Sequence, residues 1–275
     1  KNMKVLAEEI LQGKHDEILK EIYVDESVLE YQRKRYIKAI EEFENTFGEG
    51  DVEIYSAPGR CEVGGNHTDH QHGMVLATSI NQDALAVVGR SGDGMIHVLS
   101  DGYDMVDVDV NDLEERYDEE GTTAAIVRGV AAELKARGYE VQGYNAYIVS
   151  DVLIGAGLSS SAAFEVILGT IISGLFNEGS IDPVVIAQAG QFAENVYFGK
   201  PCGLMDQMAS SVGGMIHIDF KEPGSPVVEK VPSDFEDYKY SMCIVDTKAS
   251  HADMGDDYAS IPEEMKKVAK FFGKT

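Results

Sequence analysis

The chain has 275 residues, 44% of them hydrophobic and 26% charged, enough to bury a large core as one big domain or two ordinary ones. The 48 acidic against 23 basic residues give a formal charge of −25, a field that repels nucleic-acid phosphates and anionic lipid and so argues against nucleic-acid and membrane partners. No apolar run reads as long enough to span a bilayer, and Cys61, Cys202 and Cys243 form no C-x-x-C pair, which points away from a disulfide framework or zinc ribbon and toward a cytoplasmic setting.

The opening KNMKVLAEEI lacks the apolar stretch and cleavage site of a secretory signal, and its start at Lys1 suggests a piece of a longer product. Residues 3–47 place Ile18, Ile22, Val28, Tyr31, Ile37 and Ile40 at helical spacing and predict amphipathic helices. From Val52 to Val110 the chain turns to short β-branched segments (DVEIYSA, MVLATSI, ALAVVG, MIHVLS, VDVDV) broken by Gly and Asp, as in an antiparallel sheet. A helix follows over Thr123–Arg137, a strand over Tyr144–Val149, and helices over Ser159–Leu175 and Pro183–Tyr197, the last opened by Asp182 as N-cap and Pro183 at the first helical position. GGMIHIDF and MCIVDT read as strands, and a final helix starts at Ile261. Helices and strands that do not alternate regularly predict an α+β fold rather than a doubly wound sheet.

The segment DVLIGAGLSSSAAFEVILGTII sets Gly155, Ala156, Gly157 and Leu158, then Ser159, Ser160 and Ser161, between a strand and a long apolar helix. Glycines let the backbone approach a phosphate, the first helical amides point at it, and hydroxyls add donors or a Mg²⁺ ligand. A plain glycine turn with a serine N-cap is the bland alternative. No Gly-Lys-Ser/Thr follows, so this is not a Walker A loop.

GAGLSSSAA resembles the second motif of GHMP kinases. SAPGRCEVGGNHTDHQHGMVLATSI is similar to the galactokinase signature, and AENVYFGKPCGLMDQMAS to that family's Cys-Gly-Ile-Met-Asp-Gln segment. The resemblance implies a GHMP kinase fold, with an N-terminal domain (ribosomal protein S5 domain 2-like) over residues 1–195 and the beginning of a C-terminal domain over 196–275. It implies transfer of the γ-phosphate of ATP, with Mg²⁺, to the C1 hydroxyl of galactose. It also implies roles. Asp206 would be the catalytic carboxylate and Arg60 its basic partner. Glu194, twelve residues before Asp206, and Ser161 would hold Mg²⁺. Asn66, His67, Thr68, Asp69, Gly203 and Tyr258, the last twelve residues after Asp246, would contact the sugar. Ser100 and Gly155 to Ser161 would contact the nucleotide.

The pattern is broken at three positions. Asn66 replaces the usual Glu, Glu62 the usual Asn, and Gly64 an apolar residue, so a modified galactose is an alternative acceptor. The family's third glycine-rich motif is not found, which leads to the expectation of an incomplete C-terminal domain and weak turnover. Two rival readings are a non-catalytic galactose and ATP sensor, and a transition-metal site at His67, Asp69, His70 and His72.

Overall fold

In the computed structural model, residues 1–222, 224–232, 235–245 and 255–274 are described. Helices α1 (Met3–Leu11), α2 (Asp16–Tyr23) and α3 (Leu29–Phe47) form the first layer. They bury Met3, Ile10, Leu19, Tyr23, Tyr36, Ile40 and Phe43. The apolar face of α2 is therefore Leu19 and Tyr23 rather than Ile18 and Ile22, which stay 56% and 38% exposed. Both pairs have the same i, i+4 spacing, so periodicity cannot choose between them.

The next layer is one seven-stranded sheet. It contains β1 (Glu53–Gly64), β2 (Met74–Arg90), β3 (Met95–Ser100), β4 (Val106–Asp109), β5 (Tyr144–Ser150), β6 (Met215–Asp219) and β7 (Val227–Lys230). The two apolar segments MVLATSI and ALAVVG are one 17-residue strand. Its first half pairs β6 and its second half β5, while β1 runs along its other edge. The break expected between MVLATSI and ALAVVG is instead where the strand changes partner, with the Ser79 N–H donating to Gly214 O at 3.1 Å. The sheet is not purely antiparallel, because β3 and β5 pair in parallel.

On the opposite face lie α4 (Thr123–Ala136), α5 (Ser160–Asn177), α6 (Pro183–Phe192) and α7 (Met205–Val212). The expected helix over 183–197 passes at Ala193 into a π turn, Ala193–Tyr197. By length and hydropathy α5 is apolar enough to cross a membrane, unlike the sequence reading; here its apolar residues pack against the sheet, α4 and α6, as in a core helix. Alternation on the strands serves both layers: Leu85 and Val87 face α1–α3, whereas Ala84, Ala86 and Val88 face α4–α6.

The expected boundary at 195/196 falls within this body, since α7 packs on α5, α6, β1 and β2, and β6 and β7 extend the same sheet. Of MCIVDT, residues 242–245 pair with no strand, and Asp246 and Thr247 lie outside the described residues. Helix α8 spans Gly255–Phe271 and so begins six residues before the expected start.

Candidate active site

Strand β1 brings Arg60 to the phosphate-loop candidate. Gly59 makes the approach possible, because a Cβ there would meet Leu158 O at 2.9 Å. The next residue closes the contact, the Arg60 N–H donating to Leu158 O at 3.1 Å. The Arg60 side chain donates through Nη1 to Gly157 O at 2.5 Å, and through Nε and Nη2 to the two carboxylate oxygens of Asp206 at 2.6 and 2.7 Å. This is a bidentate, charge-assisted pair, the strong form of an ion pair. Asp206 occupies the first turn of α7, and its Oδ2 also accepts from the Ser159 hydroxyl. Burial pushes the Asp206 carboxyl up, but the Arg60 guanidinium, the hydrogen bonds from Arg60 and Ser159, and nearby His67 outweigh it and hold it below its ordinary value.

The loop itself turns through left-handed Gly155 and Gly157 (φ 73° and 74°) and then left-handed Ser159 (φ 57°). With its hydroxyl on Asp206, Ser159 does not cap α5, and among the described residues no other side chain does. The first amides of α5 therefore have no intrahelical acceptor, at the end where the helix dipole favours an anion. Ser160 is half-buried and Ser161 exposed, and neither hydroxyl is hydrogen-bonded within the described residues. The Leu158 side chain enters the core, leaving only its backbone to the loop, and Ala156 packs at the edge of that core. Ser100 ends β3 opposite Ile148 of β5, the strand that leads into the loop.

Asp69 lies in a short 3-10 turn, Thr68–Gln71, after two left-handed residues, Asn66 and His67. Its carboxylate is buried, with Oδ2 accepting from the Met205 N–H at 3.2 Å. Its Oδ1 is buried and has no hydrogen-bond partner. Gly203 backs onto this carboxylate so closely that a Cβ would overlap it. Thr68 faces its own turn, its hydroxyl donating to Met74 O at 3.2 Å. His72 Nδ1 lies 3.2 Å from Lys221 O, and no metal-binding group of three His, Cys, Asp or Glu occurs among the described residues, so the four-ligand transition-metal reading does not form. Tyr258 falls in α8; its side chain and Asp246 lie outside the described residues.

Glu194, in the π turn, is buried, with Oε1 3.0 Å from Lys200 Nζ and Oε2 accepting from Gln207 Nε2 at 3.2 Å. Gln207 Nε2 also donates to Glu165 Oε2 at 2.8 Å. Burial, with the Glu194 carboxylate alongside, pushes the Glu165 carboxyl well above its ordinary range. Burial likewise raises the Cys202 thiol, which borders the same group. Glu165, Gln207 and Lys200 were absent from the candidate residues. Glu165 is the single charged residue of α5 and stands one turn after Ser161, the signal that could have found it.

Residues 41–90 match the galactokinase galactose-binding signature, and residues 125–214 match the GHMP kinases N-terminal domain. The galactokinase of Streptomyces coelicolor is 33% identical over 235 residues, 85% of this chain and 60% of that protein. The galactokinase of Bacillus subtilis is 33% identical over 178 residues, 64% of this chain and 45% of the relative. Among solved structures, Lactococcus lactis galactokinase complexed with galactose gives a TM-score of 0.69 at 24% identity, covering 84% of this chain and 59% of that one. Methanococcus jannaschii mevalonate kinase gives 0.58 at 18% identity, covering 80% and 71%. The fold is thus that of the GHMP kinases, whose N-terminal domain residues 125–214 match. Within it, the similarity is to the galactokinases, and the chain spans at most about 60% of the length of the curated relatives above.

Proposed function

We propose that this chain carries the ATP- and sugar-binding machinery of a galactokinase, which moves the γ-phosphate of ATP to the C1 hydroxyl of galactose and yields galactose 1-phosphate. The observation that carries the reading is the convergence on Asp206: Arg60 from β1, Ser159 from the loop before α5, and Met205, which binds Asp69, from the adjoining residue. A carboxylate, a cation, an uncapped helix N-terminus and a buried unpaired acceptor meet in one place.

In this reading the phosphates of ATP lie against the first amides of α5 and the backbone of Gly155 to Leu158, with the Ser160 and Ser161 hydroxyls as further donors. Ser100, at the end of β3, borders the nucleotide. The sugar is held by Asp69 and His67, with the Gly203 backbone and, by the resemblance alone, Tyr258 as further contacts. Asp206, kept ionised by Arg60, accepts the hydrogen bond of the C1 hydroxyl, aims its oxygen at the phosphorus and takes the proton as transfer proceeds. Because the transition state is loose and the protein contributes mainly position and field, a low basicity of Asp206 is no obstacle. Arg60 offsets negative charge as the phosphoryl group moves.

In this reading Ser161 and Glu194 would hold Mg²⁺, with Glu194 Oε1 exchanging its Lys200 contact for the ion, and a site with few protein oxygens suits an ion that shares its remaining positions with water and phosphate. When bound, it neutralises phosphate charge in a chain whose own net charge is −25. Three free cysteines agree with a cytosolic location.

The test is ADP release with galactose and ATP, run beside Asp206→Asn. We expect galactose-dependent ADP formation that falls by at least 10³-fold in the variant. An unchanged rate would remove Asp206 from the reaction.

A further inference from the structure

His67 stands between two carboxylates. Its Nε2 lies 3.8 Å from Glu62 Oε2 and its Nδ1 3.9 Å from Asp69 Oδ1, both beyond hydrogen-bond length. Asp69 Oδ1 is buried with no partner. The Glu62 side chain is only 17% exposed, and its one hydrogen bond among the described residues is at Oε1, which accepts the His67 N–H at 2.8 Å. Among the described residues, Asp69 Oδ1 and Glu62 Oε2 thus flank one imidazole without a hydrogen bond from the protein, with His70 Nε2 4.0 Å from Asp69 Oδ1. Leaving the buried Asp69 Oδ1 unpaired is costly, and a ligand with hydroxyls on neighbouring carbons would satisfy it while also reaching the partly exposed Glu62 Oε2 and His67.

Glu62 also faces the right way. On β1, Arg60, Cys61 and Glu62 pair in unbroken register with Ser79, Thr78 and Ala77, so Arg60 and Glu62 share a strand face, and Arg60 points at Asp206. Asn66 differs. Its side chain is exposed and makes no hydrogen bond within the described residues, and its φ of 58° is the left-handed conformation that asparagine tolerates better than most residues. The turn accounts for Asn66 without a ligand.

We propose that Glu62 is a sugar-binding and specificity-determining residue: with Asp69 it forms a two-carboxylate rim around His67 that reads adjacent hydroxyls of the acceptor, while Asn66 serves the turn. This rests on the sugar-kinase reading above. The rim also disfavours acidic sugars, which would bring a like charge to Glu62, Asp69 and Asp206.

The experiment is calorimetric titration of galactose into the wild type, Glu62→Gln and Asn66→Gly. Glutamine keeps an oxygen for the His67 N–H but loses the anionic acceptor, and glycine keeps the left-handed turn accessible. Loss of one charge-assisted hydrogen bond predicts galactose binding on the order of tenfold weaker in Glu62→Gln, and within about twofold of wild type in Asn66→Gly. ATP affinity should be unchanged in both, which shows that each variant is folded. Wild-type affinity retained by Glu62→Gln overturns this proposal and leaves the kinase reading standing; a wild type that binds ATP but no sugar overturns both. A readout without variants is the wild type titrated with monodeoxygalactoses. Two adjacent positions should each weaken binding by about tenfold; tolerance at every adjacent pair also overturns the rim.

Discussion

Asp206 is governed by two opposing influences of its surroundings. Burial alone would push its carboxyl up, but the doubly bonded Arg60 and the Ser159 hydroxyl hold it down. A depressed folded value means that this ion pair's contribution to stability is complete above the ordinary carboxylate pKa of about 4 and is lost only as pH falls through the lower folded value. Replacing Arg60 with Met removes the cation and leaves burial in command. The ¹³C carboxyl resonance of Asp206 should then titrate at higher pH than in the wild type; an unmoved midpoint would show that Arg60 does not set it. Gly203 offers a second residue-scale test, because its Cβ would overlap the buried Asp69 carboxylate. Gly203→Ala should weaken galactose binding by about tenfold or more through displacement of Asp69, with ATP affinity unaltered, as read by titration of each ligand.

Among the elements, the join between β1 and the loop before α5 matters most. Gly59 lets Arg60 bond Leu158 O, so strand and loop approach backbone to backbone. In Gly59→Ala the added methyl must push the loop away, and overpacking of this kind typically costs about 1–3 kcal/mol. We expect a lower denaturant midpoint together with a raised KM for ATP; a variant with wild-type values for both would mean that the loop is not set by β1. The loop was legible in the sequence because its residues answer backbone demands: glycines where φ is positive, serines at a helix start. Arg60 and Asp206 were legible only through motifs. What was hidden depends on distant partners. Glu62 looked like a departure from a pattern until His67 came to lie beside it, and Glu165 owes its raised pKa to burial beside the Glu194 carboxylate, which the hydrogen bond from Gln207 offsets only in part. The face of α2 and the continuity of β2 failed for a similar reason, since periodicity cannot tell Leu19 from Ile18, nor a change of strand partner from a turn.

Across the whole molecule, the helical layer of α1–α3 is tied to the root of the loop by a buried polar network. Arg35 reaches Asp83 Oδ1 at 2.5 Å, Asp83 O at 2.9 Å and Val149 O at 3.2 Å, and lies 3.4 Å from Asp151 Oδ2. The Tyr23 hydroxyl completes Asp83 at 2.9 Å. Removing one member of a buried pair leaves an uncompensated charge, so Arg35→Ala should lose about 3–5 kcal/mol in equilibrium unfolding. A loss below about 1 kcal/mol would mean that the helical layer is only loosely coupled to the sheet. Such coupling suits a molecule with a net charge of −25, which can accept a polyphosphate only where local donors are held rigidly against the general field.

Sugar and nucleotide, in the proposed reaction, meet at Asp206. Paramagnetic relaxation measures this directly, with Mn²⁺ in place of Mg²⁺, a non-hydrolysable ATP analogue and ¹³C-labelled galactose. Strong, distance-dependent broadening of the galactose C1 resonance, greater than at the other ring carbons and abolished by excess unlabelled galactose, is the predicted result. Galactose that binds yet shows no broadening from the nucleotide-bound Mn²⁺ would contradict it.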